Sequence, residues 1–337
     1  MSARVAINGF GRIGRQAFKQ VLETPELELV AFNDIAPLDN LAYLLRYDTA
    51  YGRYDKDVEV KDSALVVDGV SYPFYSERDP EDLPWDELDV DIVLECSGVF
   101  RRKEELQKHL NAGAEYVILS APAKGEGVTT IVHGVNEVDR KAIDMISCAS
   151  CTTNSIAPPV EILDRRIGIE KAILTTIHGY TSSQQIVDGP AKKVRRGRAA
   201  AVNFVPTTTG AAIATTIVLP EHEGKFNGVA VRGPIPVGSV SDITFVTSRK
   251  TDEDEVNQIF REEAETERYK GILAATDDPI VSSDIVGDSH AATIDLEMTM
   301  VVDGDLVKVM SWYDNEWGFT SQMIREAVAT AKDYGWA

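Results

Sequence analysis

Val5-Ala6-Ile7-Asn8-Gly9-Phe10-Gly11-Arg12-Ile13-Gly14 is an apolar run, a glycine-rich turn and the start of a helical pattern that continues through Val21 and Leu22. Gly9, Gly11 and Gly14 have the G-x-G-x-x-G spacing. In that pattern the first glycine makes a tight turn, the second admits a pyrophosphate to the backbone, and the third lets helix pack on strand. The spacing alone is weak, because glycine-rich turns are common. Here it is answered by a second apolar run, Leu29 to Asn33, ending at Asp34. A carboxylate there is placed to bond a ribose 2′-hydroxyl, and its charge repels a 2′-phosphate, so NAD is preferred to NADP. Capping a turn is the plainer use for Asp34.

Working outward, Asp39 to Tyr47 is helical in pattern, and Val58 to Tyr75 alternates as short strands around a turn at Asp68-Gly69. Val90 to Gly98 reads as a buried parallel strand running into a small-residue loop, Arg101 to Ala112 as a helix, and Tyr116 to Ser120 as another buried strand. This alternation predicts an α/β fold for residues 1–150, a doubly wound Rossmann-type nucleotide-binding domain. Ligands in such sheets bind at the carboxyl ends of the strands. Residues 151–318 read as an α+β catalytic domain with a mostly antiparallel sheet. Their strands are expected at Val229–Val231, Asp242–Thr247, Thr293–Val301 and Leu306–Trp312. A closing amphipathic helix over 319–337 is expected to pack back on the first domain.

Ser147-Cys148-Ala149-Ser150-Cys151-Thr152-Thr153-Asn154-Ser155 separates these halves. Ile156, Val160 and Leu163 follow on one helical face, so Cys151 stands where a turn becomes a helix. Free N–H groups and the positive dipole end there stabilise a thiolate, lowering its pKa. A small buried side chain is the competing use. Cys148 and Cys151 form a C-x-x-C. If 148–151 is extended, however, the two side chains point to opposite faces, beyond the roughly 7 Å that a disulfide spans. Four soft zinc ligands are not evident, and no residue is assigned to a metal.

Lys171 to His178 reads as a strand ending in a histidine, and Gly179 to about Asn203 as a long loop. That loop holds Lys192-Lys193-Val194-Arg195-Arg196-Gly197-Arg198, a dense basic patch suited to an anion or to a contact with another subunit. Pro206-Thr207-Thr208-Thr209-Gly210 is expected to open a helix whose hydroxyl and N–H groups suit a phosphate. A cysteine beside NAD indicates aldehyde oxidation: the thiolate adds to the carbonyl, hydride leaves for the nicotinamide, and a thioester remains. His178 would be the base that takes the proton.

The composition limits the alternatives. At 337 residues, 44% hydrophobic and 26% charged, the chain is long enough for two globular domains. A net charge of −20 opposes nucleic-acid and anionic-membrane binding. The acidic stretches Asp79–Asp91 and Asp252–Glu267 read as solvated faces. No apolar run reaches membrane-span length, no signal-peptide layout is seen, and the three cysteines have no framework spacing, so a soluble cytoplasmic protein is expected.

The sequence resembles the phosphorylating glyceraldehyde-3-phosphate dehydrogenase family over essentially its whole length. The resemblance rests on Ile7 to Arg15, Ala149 to Asn154, Arg198 to Ala201, Pro206 to Ala212 and Trp312 to Gly318. It implies Cys151 as nucleophile, His178 as base, glyceraldehyde 3-phosphate as substrate, and inorganic phosphate releasing the thioester as 1,3-bisphosphoglycerate. It also implies one anion site of Ser150, Thr152, Arg196, Thr209 and Gly210, and another, for the substrate's own phosphate, of Thr181 and Arg232. Cofactor contacts carried over by motif are Arg12, Ile13, Asp34, Arg78, Ser97, Ser120 and Asn315. Apolar Ile35 and Pro190, where NADP-accepting members often carry hydroxyls, again favour NAD, and the family forms homotetramers. The chain departs from the usual pattern at Gly179, at Ser182-Ser183, at Phe319, and at Ser155, where many members have a second cysteine. Two rival readings are an erythrose-4-phosphate dehydrogenase, which releases its thioester to water, and a non-catalytic NAD-responsive binding protein.

Overall fold

The computed structural model describes residues 2–337, which form two compact units. The first comprises residues up to Ile131, Val138–Ala149 and Met323–Ala337; the second comprises Val132–Glu137 and Ser150–Gln322. These limits differ from the sequence-based domains in three respects, the first being that Ser150 falls in the second unit. Residues 132–137 group with the second unit, and the closing helix is shared out at Met323.

The first unit begins β1 (Ala3–Asn8), α1 (Arg12–Leu22), β2 (Leu27–Asn33) and α2 (Leu38–Arg46), followed by a small hairpin of β3 (Tyr47–Asp48) and β4 (Gly52–Arg53). A meander of β5 (Val58–Lys61), β6 (Ala64–Val67) and β7 (Val70–Tyr75) leads to β8 (Ile92–Glu95), α3 (Lys103–Asn111), β9 (Tyr116–Leu119), β10 (Thr129–Thr130) and β11 (Met145–Ser147). Its nine-stranded sheet has the order β10-β11-β9-β8-β1-β2-β7-β6-β5, parallel as far as β7 and antiparallel thereafter. Val5, Ala6 and Ile7 of β1 are wholly buried, as are Ile92, Val93 and Leu94 of β8, so these strands are continuous apolar runs without alternation. β1 sends the chain to β2 on one side and has β8 on the other. Such a reversal of strand order is where open α/β sheets bind ligands.

Two expectations fail within this unit. Asp79–Asp91 is not a solvated face throughout, because Trp85 is fully buried with Leu83 and Val90 in a core cluster. The stretch 148–151 is not extended, since Ala149 has φ +57°; the premise of the separation argument falls, although none of the three cysteines is in a disulfide.

The second unit begins with α4 (Cys151–Arg166) and β12 (Ile169–Gly179), then β13 (Val205–Thr208), α5 (Ala211–Val218), β14 (Phe226–Gly233) and β15 (Ser239–Thr247). It continues with α6 (Glu253–Ala264), β16 (Leu273–Thr276), β17 (Ala292–Val302), β18 (Leu306–Tyr313) and α7 (Trp317–Tyr334), the last passing into the first unit. Its sheet runs β13-β14-β12-β15-β18-β17-β16, with four of six pairings antiparallel. α4 lies across β12, β15, β17 and β18, flanked by α5 and α6. It contains Pro158 and Pro159, neither of which has an N–H to donate back along the helix. The Ser155 carbonyl left over by Pro159 is taken by Ser311 Oγ at 3.0 Å, so the helix is maintained by its sheet. Asp252–Glu267 is not simply a solvated face: α6 buries Val256, Ile259 and Phe260. Pro206–Thr208 belongs to edge strand β13, and the helix starts only at Ala211.

Candidate functional site

The first unit has a cavity of about 340 Å³ at the carboxyl ends of β1, β2 and β8, lined among others by Gly9, Gly11, Asp34, Arg78 and Ser97. The glycines earn their places differently. Gly9 has φ +94°, and a Cβ there would lie 2.4 Å from Ser97 N; a Cβ on Gly14 would lie 1.9 Å from the Gly9 carbonyl oxygen. On Gly11 a Cβ would meet no atom of the chain within 4 Å, so packing within the chain does not require the glycine, and its open backbone is free for a ligand to approach. Gly11 is also the N-cap of α1 and offers no side-chain cap, leaving first-turn N–H groups for an anion. Asp34 does cap its turn, and it also faces the cavity. Its carboxylate accepts from Phe10 N at 2.7 Å and Ala36 N at 2.9 Å, and it lines the cavity. These features fit a dinucleotide.

Behind the cavity, Asn33, Asn8 and Glu95 occupy one row of the sheet. Asn33 Nδ2 donates to Asn8 Oδ1 at 2.8 Å, and Asn8 Nδ2 donates to Glu95 Oε2 at 2.5 Å. His109 Nδ1 accepts from Trp85 Nε1 at 3.1 Å, which leaves its Nε2–H to donate to Glu95 Oε2 at 3.0 Å. The Ser97 N–H donates to Oε1 at 2.8 Å. A wholly buried carboxylate with this many donors is satisfied without a counter-ion. The sequence reading missed Glu95; a lone acid inside an apolar strand was the available signal. Arg12, Ile13 and Ser120 do not line the cavity. Arg12 instead pairs with buried Asp48 at 2.6 Å.

In the second unit, the site starts at the N-terminus of α4. Ser150 is the N-cap, its Oγ accepting from Thr153 N at 3.1 Å, and Cys151 is the first helical residue. The alternation of β12 turns Leu174, Thr176 and His178 inward and Ile173, Thr175 and Ile177 outward. Cys151 Sγ and His178 Nε2 are consequently 3.4 Å apart. Tyr313 OH sits between Thr152 Oγ1 and Thr176 Oγ1, at 2.9 Å from each, and its ring meets the imidazole edge-on. Tyr313 lies within the Trp312–Gly318 motif, and nothing in its spacing assigns it to this pair. Asn315 also lies in this unit, its Oδ1 accepting from Ser239 Oγ at 2.8 Å; Ser239 Oγ in turn accepts from Gly179 N at 3.2 Å. Gly179 itself has little room for a larger residue, since a Cβ would come 3.0 Å from the Ile235 carbonyl oxygen.

The electrostatics correct one expectation. Although part of Cys151 reaches solvent, burial pushes its thiol above the ordinary value; Arg232 and hydrogen bonds from Thr152 and the helix N–H groups oppose this without prevailing. Burial and then Arg232 hold His178 down at about 3. The helix end alone therefore does not make a thiolate. Passing the proton from Sγ to Nε2 creates two charges that stabilise each other, so the pair titrates as a unit.

Arg232 NH1 lies 2.8 Å from His178 Nδ1 and donates to the Gly179 carbonyl at 2.9 Å, while Nδ1 is 2.6 Å from that same carbonyl. Nδ1 cannot accept from the guanidinium and donate to the carbonyl at once. Arg232 Nε is buried without a partner. Arg196 reaches Thr207 Oγ1, Ser183 Oγ and the Thr208 carbonyl, and Lys193 reaches Thr208 Oγ1. Burial lowers the pKa of Lys193, Arg196 and Arg232; Arg232 further lowers Arg196, and both arginines further lower Lys193. Among the described residues no carboxylate pairs with any of the three, in a chain of net charge −20. Thr181 Oγ1 is 2.9 Å from Ser183 Oγ, and Thr209 Oγ1 accepts from Ala211 N, with Gly210 as the exposed N-cap of α5.

Comparison with known proteins gives a consistent result. Residues 3–103 match the family pattern described as glyceraldehyde 3-phosphate dehydrogenase, NAD binding domain, and residues 150–315 match its C-terminal domain. "Glyceraldehyde-3-phosphate dehydrogenase 2" of Streptomyces avermitilis is 49% identical over 327 residues, covering 96% of this chain and 97% of that protein. The glyceraldehyde-3-phosphate dehydrogenase of Geobacillus stearothermophilus is 49% identical over 326 residues, with the same coverage. "Glyceraldehyde-3-phosphate dehydrogenase 1" of Bacillus subtilis is 46% identical over 334 residues, covering 98% of this chain and 99% of its own. With an NAD-binding domain and a C-terminal domain both matched, this chain belongs to the glyceraldehyde 3-phosphate dehydrogenase family.

Proposed function

We propose that the chain oxidises D-glyceraldehyde 3-phosphate with NAD and transfers the acyl group to inorganic phosphate, giving 1,3-bisphosphoglycerate. The observation that carries this reading is the 3.4 Å approach of Cys151 Sγ to His178 Nε2 at a helix N-terminus. Gly9, Gly11, Gly14, Asp34, Arg78 and Ser97 hold the cofactor, with Arg12, Ile13, Ser120 and Asn315 as further contacts. NAD, when bound, accepts the hydride.

The remaining chemistry belongs to side chains. His178 Nε2 takes the thiol proton as Sγ bonds to the aldehyde carbon and passes it to the carbonyl oxygen, which becomes a thiohemiacetal hydroxyl and leaves the imidazole neutral again. The imidazole then removes the hydroxyl proton as the carbon gives up its hydride, leaving a thioester on Cys151. A phosphate oxygen attacks that carbonyl, the carbon–sulfur bond breaks, and the thiolate is restored as the acyl phosphate leaves. Arg232 and Thr181 bind the substrate's own phosphate; the buried, unpartnered Arg232 Nε supports this assignment. A phosphate that engages the guanidinium also draws it from Nδ1. Nδ1–H then donates to the Gly179 carbonyl, and the Nε2 lone pair faces the sulfur. Ser150, Thr152, Arg196, Thr209 and Gly210 take the attacking phosphate.

We further infer a cytoplasmic homotetramer. Cysteines without disulfides suit a reducing compartment, and no helix among the described residues is long and apolar enough to cross a membrane. Ile173, Ile177 and Val229 are 62%, 39% and 52% exposed on one face of the second sheet, and Phe204 and Ile186 are exposed at 73% and 84%. Such apolar area suits a subunit contact. Initial rates with glyceraldehyde 3-phosphate, comparing NAD with NADP and phosphate with none, test the reading. Turnover unchanged without phosphate would favour release of the thioester to water and overturn it.

A further inference from the structure

The last turns of α4 carry a cluster that the reaction does not use. Asp164 lies there, while Glu221 and His222 lie on the short turn Pro220–His222 between α5 and β14. One ligand-capable atom from each residue lies within 4.8 Å of the others. His222 is only 3% exposed, its Nε2 has no hydrogen-bond partner, and that nitrogen faces Asp164 Oδ2 at 3.5 Å. A buried imidazole nitrogen left unpaired is costly and calls for an explanation. Asp164 is already oriented, because its Oδ1 accepts from Ile169 N at 2.9 Å and so leaves Oδ2 for the cluster. Glu221 is exposed and keeps the cluster open to solvent.

We propose that Asp164, Glu221 and His222 bind one divalent cation of the zinc, cobalt and nickel class, with water as the fourth ligand. An imidazole nitrogen with two carboxylates suits that class, whereas magnesium and calcium take all-oxygen sets. Metal–ligand bonds of about 2.0–2.2 Å hold tetrahedral ligands roughly 3.5 Å apart. Closure is therefore a short movement, and the exposed Glu221 side chain is free to supply it. The ion ties the end of α4, whose first residue is Cys151, to the turn that leads into β14, which carries Arg232. It thus braces two elements that present the reactive groups while lying apart from them in the fold.

The test is isothermal titration of the full-length protein with Zn²⁺, after iodoacetamide has capped Cys151 so that the thiol–imidazole pair cannot compete. One saturable equivalent is expected. Glu221→Gln, at the surface, should weaken it about 10-fold or more, and His222→Gln should abolish it. Co²⁺ in place of Zn²⁺ should give a ligand-field spectrum without a thiolate charge-transfer band. Saturating Zn²⁺ should raise the thermal midpoint by about 2 °C or more in the intact protein and leave Glu221→Gln less affected. No saturable binding, or unchanged affinity in Glu221→Gln, overturns the proposal, and this holds even if His222→Gln fails to fold.

Discussion

The cofactor cavity of the first unit and the thiol–imidazole site of the second are built on opposite principles. The first opens on a glycine turn and on strand ends, and the polar side chains in and behind it are satisfied in place: Glu95 has its donors, Asn33 donates to Asn8, and Asp34 accepts two N–H groups. The second gathers Cys151, His178, Arg196, Arg232 and Tyr313 from separate segments and leaves positive charge without carboxylates. A site for a flexible, extended ligand needs shape and free N–H groups. A site for two phosphates and a reacting thiol needs held-back charge, which the ligands complete.

That contrast can be broken experimentally, most forcefully at the sulfur. Cys151→Ser should lower kcat on the order of 10⁴-fold or more and leave NAD affinity, read by titration, within about 3-fold. A large loss of NAD binding would mean that the two sites are not built independently. His178→Asn should lower kcat by about 10²–10⁴-fold and move the pH midpoint of Cys151 alkylation upward, because burial then acts on the thiol alone. An unchanged alkylation profile would remove the imidazole from the pair.

The same substitution has a stability signature. His178 is held near 3 in the folded chain, against an ordinary 6.5. The unfolded chain therefore binds the proton more readily between those values. The wild-type protein keeps this stability above pH 6.5 and loses it as the pH falls towards 3, by up to about 1.4 kcal/mol per unit. Denaturant titrations of His178→Asn across that range should show a shallower decline; parallel curves would contradict the assignment.

Smaller effects sharpen the comparison within the cavity. Gly9→Ala should destabilise the fold by about 2–4 kcal/mol, since both its φ and its neighbours exclude a Cβ. Gly11→Ala should cost less than about 1 kcal/mol of stability and act on the cofactor instead, raising the Kd for NAD about 10-fold. Equal effects on folding would end the distinction between the two glycines. Least of all, Tyr313→Phe should change kcat/KM by roughly 10-fold or less, the scale of about 1 kcal/mol for a neutral hydrogen bond.

Much of this was legible from spacing. The first glycine motif, the strand that ends at Asp34, the hairpin at Asp68-Gly69 and the strand that ends at His178 are local, and their periods carry them. Other elements were masked by competing signals. The acidic run around Phe260 hides a helix whose apolar face is narrow, and Glu95 is a charge in a strand with no room for one on paper. Pro206, Thr207 and Thr208 suited a helix start, but pairing of Val205–Thr208 with β14 took them into the sheet. Local preference yields wherever a ladder of backbone hydrogen bonds is on offer.

The order of residues by itself determined that a glycine-rich turn opens a parallel sheet and that a cysteine begins a central helix, because both depend on neighbours a few positions away. Only the tertiary structure decided that His178 faces this sulfur, that Arg232 contends with a carbonyl for its other nitrogen, and that burial outweighs the helix end at the thiol. Distances across a fold and the exclusion of water from a site are properties of packing, and no local pattern encodes them.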